Sequence, residues 1–229
     1  MMTKIRHYNA YISWLYRLIV LAVIPATAVL LFFLFAGKGG EVAVMFYLLI
    51  LPVAFLFLFL YTDRMIIGPV YGKGQMEENF LKTSDRGKQI FIDSMEMDML
   101  LRLVIYGAVF WIGAVSLWLS GGHSGYMRKI WIAAMVDIVA LHAVTETGIL
   151  IGRRIQNMNW YVLLLYGMML LLTPAFAATV EANWTLGLVI GGSYLAADVV
   201  MVWLNSMTVK KLTEQKWYHD IQDERSVVE

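Results

Sequence analysis

Four ionisable residues sit inside stretches that are otherwise apolar: Asp137, His142 and Glu146 in one stretch and Asp198 in another. His142 and Glu146 stand four apart, so on a helix they share a face, the spacing that a metal pair or a proton relay requires. Asp137 precedes His142 by five residues and points about 140° away from it at 100° per residue. Glu181 adds an acid near the end of a further apolar stretch. A charge within a membrane span is costly and is usually turned to the bundle interior or a wet cavity. Three uses stay open: a hydrogen-bonded contact between helices, the lining of a path for a cationic or amphipathic molecule, or metal binding. His-x-x-x-Glu alone is a thin metal signature, and no metal site is assigned from it.

Other chemistry is excluded more directly. The absence of cysteine removes disulfides, thiolate metal sites and a cysteine nucleophile. Gly68–Gly74, GPVYGKG, has three residues between its first glycine and the Gly-Lys pair where a phosphate loop has four. Gly74 also stands where Ser or Thr would hold magnesium. Gly191-Gly-Ser-Tyr lacks the following glycine of a rhomboid-like serine motif, and no later span offers a histidine as base. No lysine lies deep in an apolar run, so a retinal Schiff base is excluded as well. No catalytic residue and no bound cofactor are assigned to this chain. An intramembrane hydrolase using His142 and Glu146 remains an outlying alternative.

The elements that must position these residues are apolar runs of membrane length. The chain is 60% hydrophobic and 15% charged over 229 residues, which is wrong for a soluble domain of that size. Runs at 14–36, 42–61, 100–119, 130–151, 160–180 and 185–207 each have about 20 residues or more, enough to cross a hydrocarbon core of about 30 Å. The fold expected is all-α: a polytopic membrane bundle of six transmembrane helices forming one domain over 1–229. The basic residues before the first run resemble a signal peptide's, but the run is span-length and is read as a retained helix. A cytoplasmic N-terminus places Lys38, Arg128 and Lys129 outside and the other 15 of 18 Lys and Arg inside. Both termini are therefore expected in the cytoplasm, together with the loop 62–99 and the tail 208–229. Trp14, Tyr61, Trp118, Trp131, Trp160 and Trp184 suit the headgroup zone. Pro25, Pro52 and Pro174 interrupt the first, second and fifth runs and are expected to bend or break them.

The longest polar segment, 62–102, joins the second and third runs. Its Gly-rich start with Pro69 predicts an irregular turn, followed by polar helices at 75–82 and 85–97. Phe91, Met95 and Met99 recur at i, i+4 and i+8, with Asp85, Arg86, Lys88, Gln89, Asp93 and Glu96 expected on the wet side. The second of these helices is expected along the inner interface, turning from there into the third span.

In this position and order, residues 76–104, MEENFLKTSDRGKQIFIDSMEMDMLLRLV, resemble the loop between the second and third helices of ABC transporter permeases of the type-2 exporter class. Within that class the small size is most similar to permeases of bacterial peptide exporters, such as those for phenol-soluble modulins or lantibiotics. The resemblance implies a coupling helix that docks a separate ABC ATPase through Met76, Glu77, Glu78, Phe80, Leu81, Lys82, Asp85, Arg86, Lys88 and Phe91. It also implies ATP and Mg in that partner, a second permease copy or homologue, a peptide-like substrate and a place in the bacterial plasma membrane. Asp137, His142, Glu146 and Asp198 would then be candidates for the translocation path. One departure stands out: only 181–184 separate the last two runs, so the family's re-entrant element would have to come from residues after Pro174. The alternative from a different class is an ATP-independent membrane immunity or sensor protein that binds a peptide or partner. Neither reading involves nucleic acid.

Overall fold

The computed structural model describes residues 1–23, 25–27, 85–119, 125–154 and 183–216. They form α1 (Met2–Tyr11), α2 (Trp14–Leu18) running on as a π-helical stretch (Ile19–Val23), α3 (Asp85–Leu119), α4 (Gly125–Arg154) and α5 (Trp184–Lys216). Helices long and apolar enough to cross a membrane cover Asp85–Leu119, Trp131–Ile151 and Trp184–Gln215. These contain the third, fourth and sixth expected runs. The second and fifth runs, residues 28–36 of the first, Pro52, Pro174, Glu181, the docking residues Met76 to Lys82 and the end of the tail lie outside the described residues.

The N-terminal segment does not enter a span directly. α1 ends at Ile12, whose backbone is extended (φ −88°, ψ 124°), and the Ser13 hydroxyl accepts a hydrogen bond from the Tyr16 amide to start α2. α1 and the 14–27 segment meet at a bend of 109°. The π-helical stretch lies just ahead of Pro25, which offers no backbone donor and crowds the carbonyl four residues back, so the expected interruption of the first run falls there.

α3 differs from expectation in being one uninterrupted helix, with no turn between an interfacial piece and a span. No Gly or Pro occurs between Gly87 and Gly107, and Arg102 Nε reaches Asp98 Oδ2 at 3.2 Å across one helical turn, so nothing breaks the ladder near residue 99. Its 35 residues make ~52 Å of helix, ~22 Å more than a hydrocarbon core. Its first turn begins with Asp85, an acid that suits the positive end of the helix dipole.

α4 is the central element among the described helices: 89% of an 18-residue apolar stretch of its span is buried, against 33% and 17% for the corresponding stretches of α3 and α5. Paired positions fix the directions. Arg102 meets Glu146 and Tyr106 meets His142, so α3 and α4 are antiparallel; His142 meets Asp198 and Glu146 meets Asn205, so α4 and α5 are parallel. One apolar core gathers Phe110, Ala114 and Leu117 of α3 with Ile132, Met135, Val136, Val139 and Ala140 of α4, under Leu188 and Leu195 of α5. α5 comes this close through glycine: a Cβ on Gly191 would lie 2.3 Å from Phe110 Cε2, and one on Gly187 would lie 2.7 Å from Ile132 Cγ2. A second core, Phe91, Ile92, Met95 and Met99 against Val209, Tyr11 and Val202, ties the start of α3 to α1 and the last turns of α5.

Candidate functional site

Two polar levels are stacked along α3. The outer one centres on Glu96, whose carboxylate takes Lys4 of α1, Lys210 Nζ of α5 at 2.6 Å and the Ser206 hydroxyl at 2.7 Å. Beside it, Asp93 Oδ2 lies 2.7 Å from His7 Nδ1 and its other oxygen accepts from Gln89 Nε2 at 2.8 Å. Asp93 and Glu96, expected on the wet side, instead fasten the N-terminal helix and the end of α5 onto α3. The hydrogen bond from Lys4 to Glu96 raises the ammonium above its ordinary pKa, with burial opposing and the Glu96 and Asp93 charges assisting.

The inner level is a chain of ionisable side chains in which no member but the half-buried Tyr16 is more than 2% exposed. Asp98 accepts from the Tyr8 hydroxyl at 3.2 Å and the Tyr16 hydroxyl at 3.3 Å, and it pairs with Arg102. Burial, and then the Asp98 charge, push the Tyr8 phenol upward, so it remains a donor across the working pH range. Arg102 Nη1 reaches Glu146 Oε1 at 3.0 Å, and Glu146 Oε2 accepts from Asn205 Nδ2 at 2.9 Å. Asn205 Nδ2 also reaches the Glu146 backbone carbonyl at 2.9 Å, bonding α5 to the backbone of α4. His142 closes the chain: its Nδ1 lies 2.5 Å from Asp198 Oδ2, its Nε2 lies 3.8 Å from Glu146 Oε1, and the Tyr106 ring stacks on it at 4.5 Å and 26°.

The structure thus brings His142, Glu146 and Asp198 together across two helices and leaves Asp137 apart. Asp137 is buried on α4 and enters no hydrogen bond or ion pair among the described residues. Of the docking candidates, Asp85 and Arg86 are exposed and Lys88 is half-buried, whereas Phe91 is fully buried, edge-on to Tyr11 at 5.6 Å. Phe91 belongs to the joint between α1, α3 and α5, so a docking partner could not touch it without opening that joint. The sequence reading missed Asp98, Tyr106, Asn205 and the whole of α1. The signal for Asp98 and Arg102 was their i, i+4 spacing at the mouth of a span; Asn205 lies seven residues after Asp198, on the same helical face.

This geometry can hold three helices in a defined register and can store or pass a proton, since a carboxylate, an imidazole and a second carboxylate follow one another. It does not suit a metal ion: a guanidinium occupies one side of Glu146, and no group of three or more His, Asp or Glu able to hold a metal occurs among the described residues. No family model, no curated protein and no solved structure matches the chain.

Proposed function

We propose that this protein is the transmembrane permease subunit of an ATP-driven ABC exporter for a hydrophobic or amphipathic peptide, working in a bacterial plasma membrane beside a second permease copy or homologue. A separate ATPase would dock on the segment that runs into α3. The observation carrying this reading is the unbroken α3: it begins beside the docking segment, overhangs a bilayer core by ~22 Å and holds the inner polar level through Asp98 and Arg102. A displacement at Asp85 is therefore delivered to the contacts with α4 and α5 as a rigid-body shift. Nucleotide-driven closure of the ATPase would bias two arrangements of the bundle in this way. The parallel course of α4 and α5 supports the six-helix topology, because residues 155–182 must carry the chain back to the other end, and they contain the fifth apolar run.

The test is purification of the tagged protein in mild detergent from its native membrane, followed by an ATPase assay, for wild type and for a Phe80→Asp, Arg86→Glu double variant. Copurification of an ATPase with wild type and its loss from a variant that still elutes as a folded particle is the expected result. If no ATPase accompanies wild type, the exporter reading fails and the ATP-independent peptide-binding protein replaces it.

A further inference from the structure

Exposed apolar side chains sort by depth, and α1 is the exception. Among the described residues, every exposed large hydrophobic side chain falls within the expected runs 14–36, 100–119 or 185–207, apart from Met1, Met2 and Ile5. Within the runs such exposure suits acyl chains. α1 lies ahead of the first run, yet Met2 is 80% exposed and Ile5 is exposed beside it. Apolar surface left open outside a span marks a contact with another apolar medium.

The contacts of α1 give its depth. Lys4 meets Glu96 and the Tyr8 hydroxyl donates to Asp98, four and two residues short of the run that begins at Leu100. At 1.5 Å per residue these contacts lie ~6 Å and ~3 Å beyond the hydrocarbon edge, within a headgroup layer of ~5–8 Å. The bend of 109° turns α1 away from the direction in which residues 14–27 enter the bilayer. Trp14, 68% exposed just after the bend, stands at the level that suits an indole. Asp85, by contrast, begins α3 ~22 Å short of Leu100, past the headgroups.

Charge follows the same pattern. Lys4, His7, Tyr8 and Tyr11 turn to α3, whereas Met2, Ile5 and Arg6 stay exposed, with Met2 and Arg6 four apart on one face. α1 contains no Asp or Glu. Arg6 enters no ion pair among the described residues, and the same holds for the exposed Lys211, which follows the Lys210 that binds Glu96. The exposed acids at this end, Asp85 and Glu214, lie further from the runs. Two apolar side chains with a guanidinium beside them at a membrane edge fit anionic lipid, the former in the acyl boundary and the latter reaching out to phosphate. A soluble partner would meet the overhang of α3 before it reached α1.

We propose that α1 is an interfacial foot that binds anionic phospholipid in the leaflet at this end of the bundle, with Met2 and Ile5 in the acyl boundary and Arg6 on the phosphates. Through Lys4, His7 and Tyr8 it ties that leaflet to α3. This surface stands whether or not an ATPase docks on the chain.

The chain has no cysteine, so single cysteines can be labelled in the full protein. In nanodiscs of phosphatidylcholine and phosphatidylglycerol, a spin label on Met2→Cys should collide with oxygen, which partitions into lipid, more than with a water-soluble nickel chelate. A label on Arg86→Cys should do the reverse. A bimane fluorophore on Met2→Cys then reads the lipid beside it through quenching by brominated acyl chains. At equal mole fraction, brominated phosphatidylglycerol should be enriched there about fivefold over brominated phosphatidylcholine. Arg6→Gln should remove most of that enrichment and Arg6→Lys should keep it; Met2 and Arg6 are both exposed, so these variants should fold. A Met2 label as open to nickel as the Arg86 label overturns the proposal. So does equal quenching by the two lipids, enrichment that Arg6→Gln leaves unchanged, or shielding of Met2 that appears only with a copurified protein bound.

Discussion

Arg102 is the side chain whose removal tests the inner polar level most directly. It lies 3.2 Å from Asp98 and 3.0 Å from Glu146 and is 2% exposed. At an effective dielectric of about 20, a pair of unit charges 3.0 Å apart attracts by about 5–6 kcal/mol, most of it offset by the desolvation of both groups. Removing one partner forfeits the attraction and keeps the other's desolvation, so Arg102→Met should cost about 3–5 kcal/mol. Asp98 would still hold two tyrosine hydroxyls and Glu146 would still hold Asn205, which argues for the lower part of that range. Replacing Glu146 by Gln in the same chain removes the stranded charge, and the double variant should recover about 1–3 kcal/mol relative to the sum of the singles. The assay is reversible unfolding of the purified protein in mixed micelles, titrated with a denaturing detergent and followed by tryptophan fluorescence. A single-variant cost below about 1 kcal/mol, or effects that add to within about 0.5 kcal/mol, would refute the claim that Arg102 and Glu146 form a buried, mutually dependent pair.

Three further outcomes follow from the packing and the outer level. Gly191→Ala drives a methyl group into the Phe110 ring and should destabilise by about 1–3 kcal/mol, whereas Gly192→Ala, with no atom within 4 Å of the new Cβ, should be neutral or stabilising in the same unfolding assay. Lys4 has its folded pKa raised above 10.5, so its stabilisation is complete below that pH and is lost as pH rises through the folded value. With its side chain 45% exposed, the Lys4 contribution should be only about 0.5–1 kcal/mol, seen as a wild-type advantage over Lys4→Met at pH 8 that vanishes in strong alkali. Asn205→Leu leaves Glu146 Oε2 and the Glu146 carbonyl without their α5 donor and should cost about 1–3 kcal/mol, measured as a lower midpoint in that unfolding titration.

What the sequence made legible was whatever lies within one helix. The pairing of His142 with Glu146 needs only the 3.6-residue period, and the spans at 100–119, 130–151 and 185–207 need only hydropathy, so both could be read in advance. Asp198 could be named as a buried acid, but its arrival at His142 depends on α4 and α5 running parallel, which no local pattern encodes. Arg102 was hidden by its position: a basic residue at a span's edge satisfies the positive-inside pattern whether or not it turns inward. Asp93 and Glu96 were assigned to water for a related reason. Periodicity separates the faces of α3 without saying what covers them, and the cover is α1, ten residues that look like a simple flank of the first apolar run.

The shared carboxylate of Glu96 has a consequence for how the protein is made. Its partners are Lys4, 92 residues before it, and Ser206, 110 residues after it, with Lys210 one turn further on. Asp98 and Arg102 can pair within one turn as soon as α3 is synthesised; Glu146 arrives with α4, and Asp198 and Asn205 only with α5. Every unfinished intermediate thus carries polar groups whose partners have not yet been made. Among the described helices α5 is made last, and its insertion closes both polar levels at once.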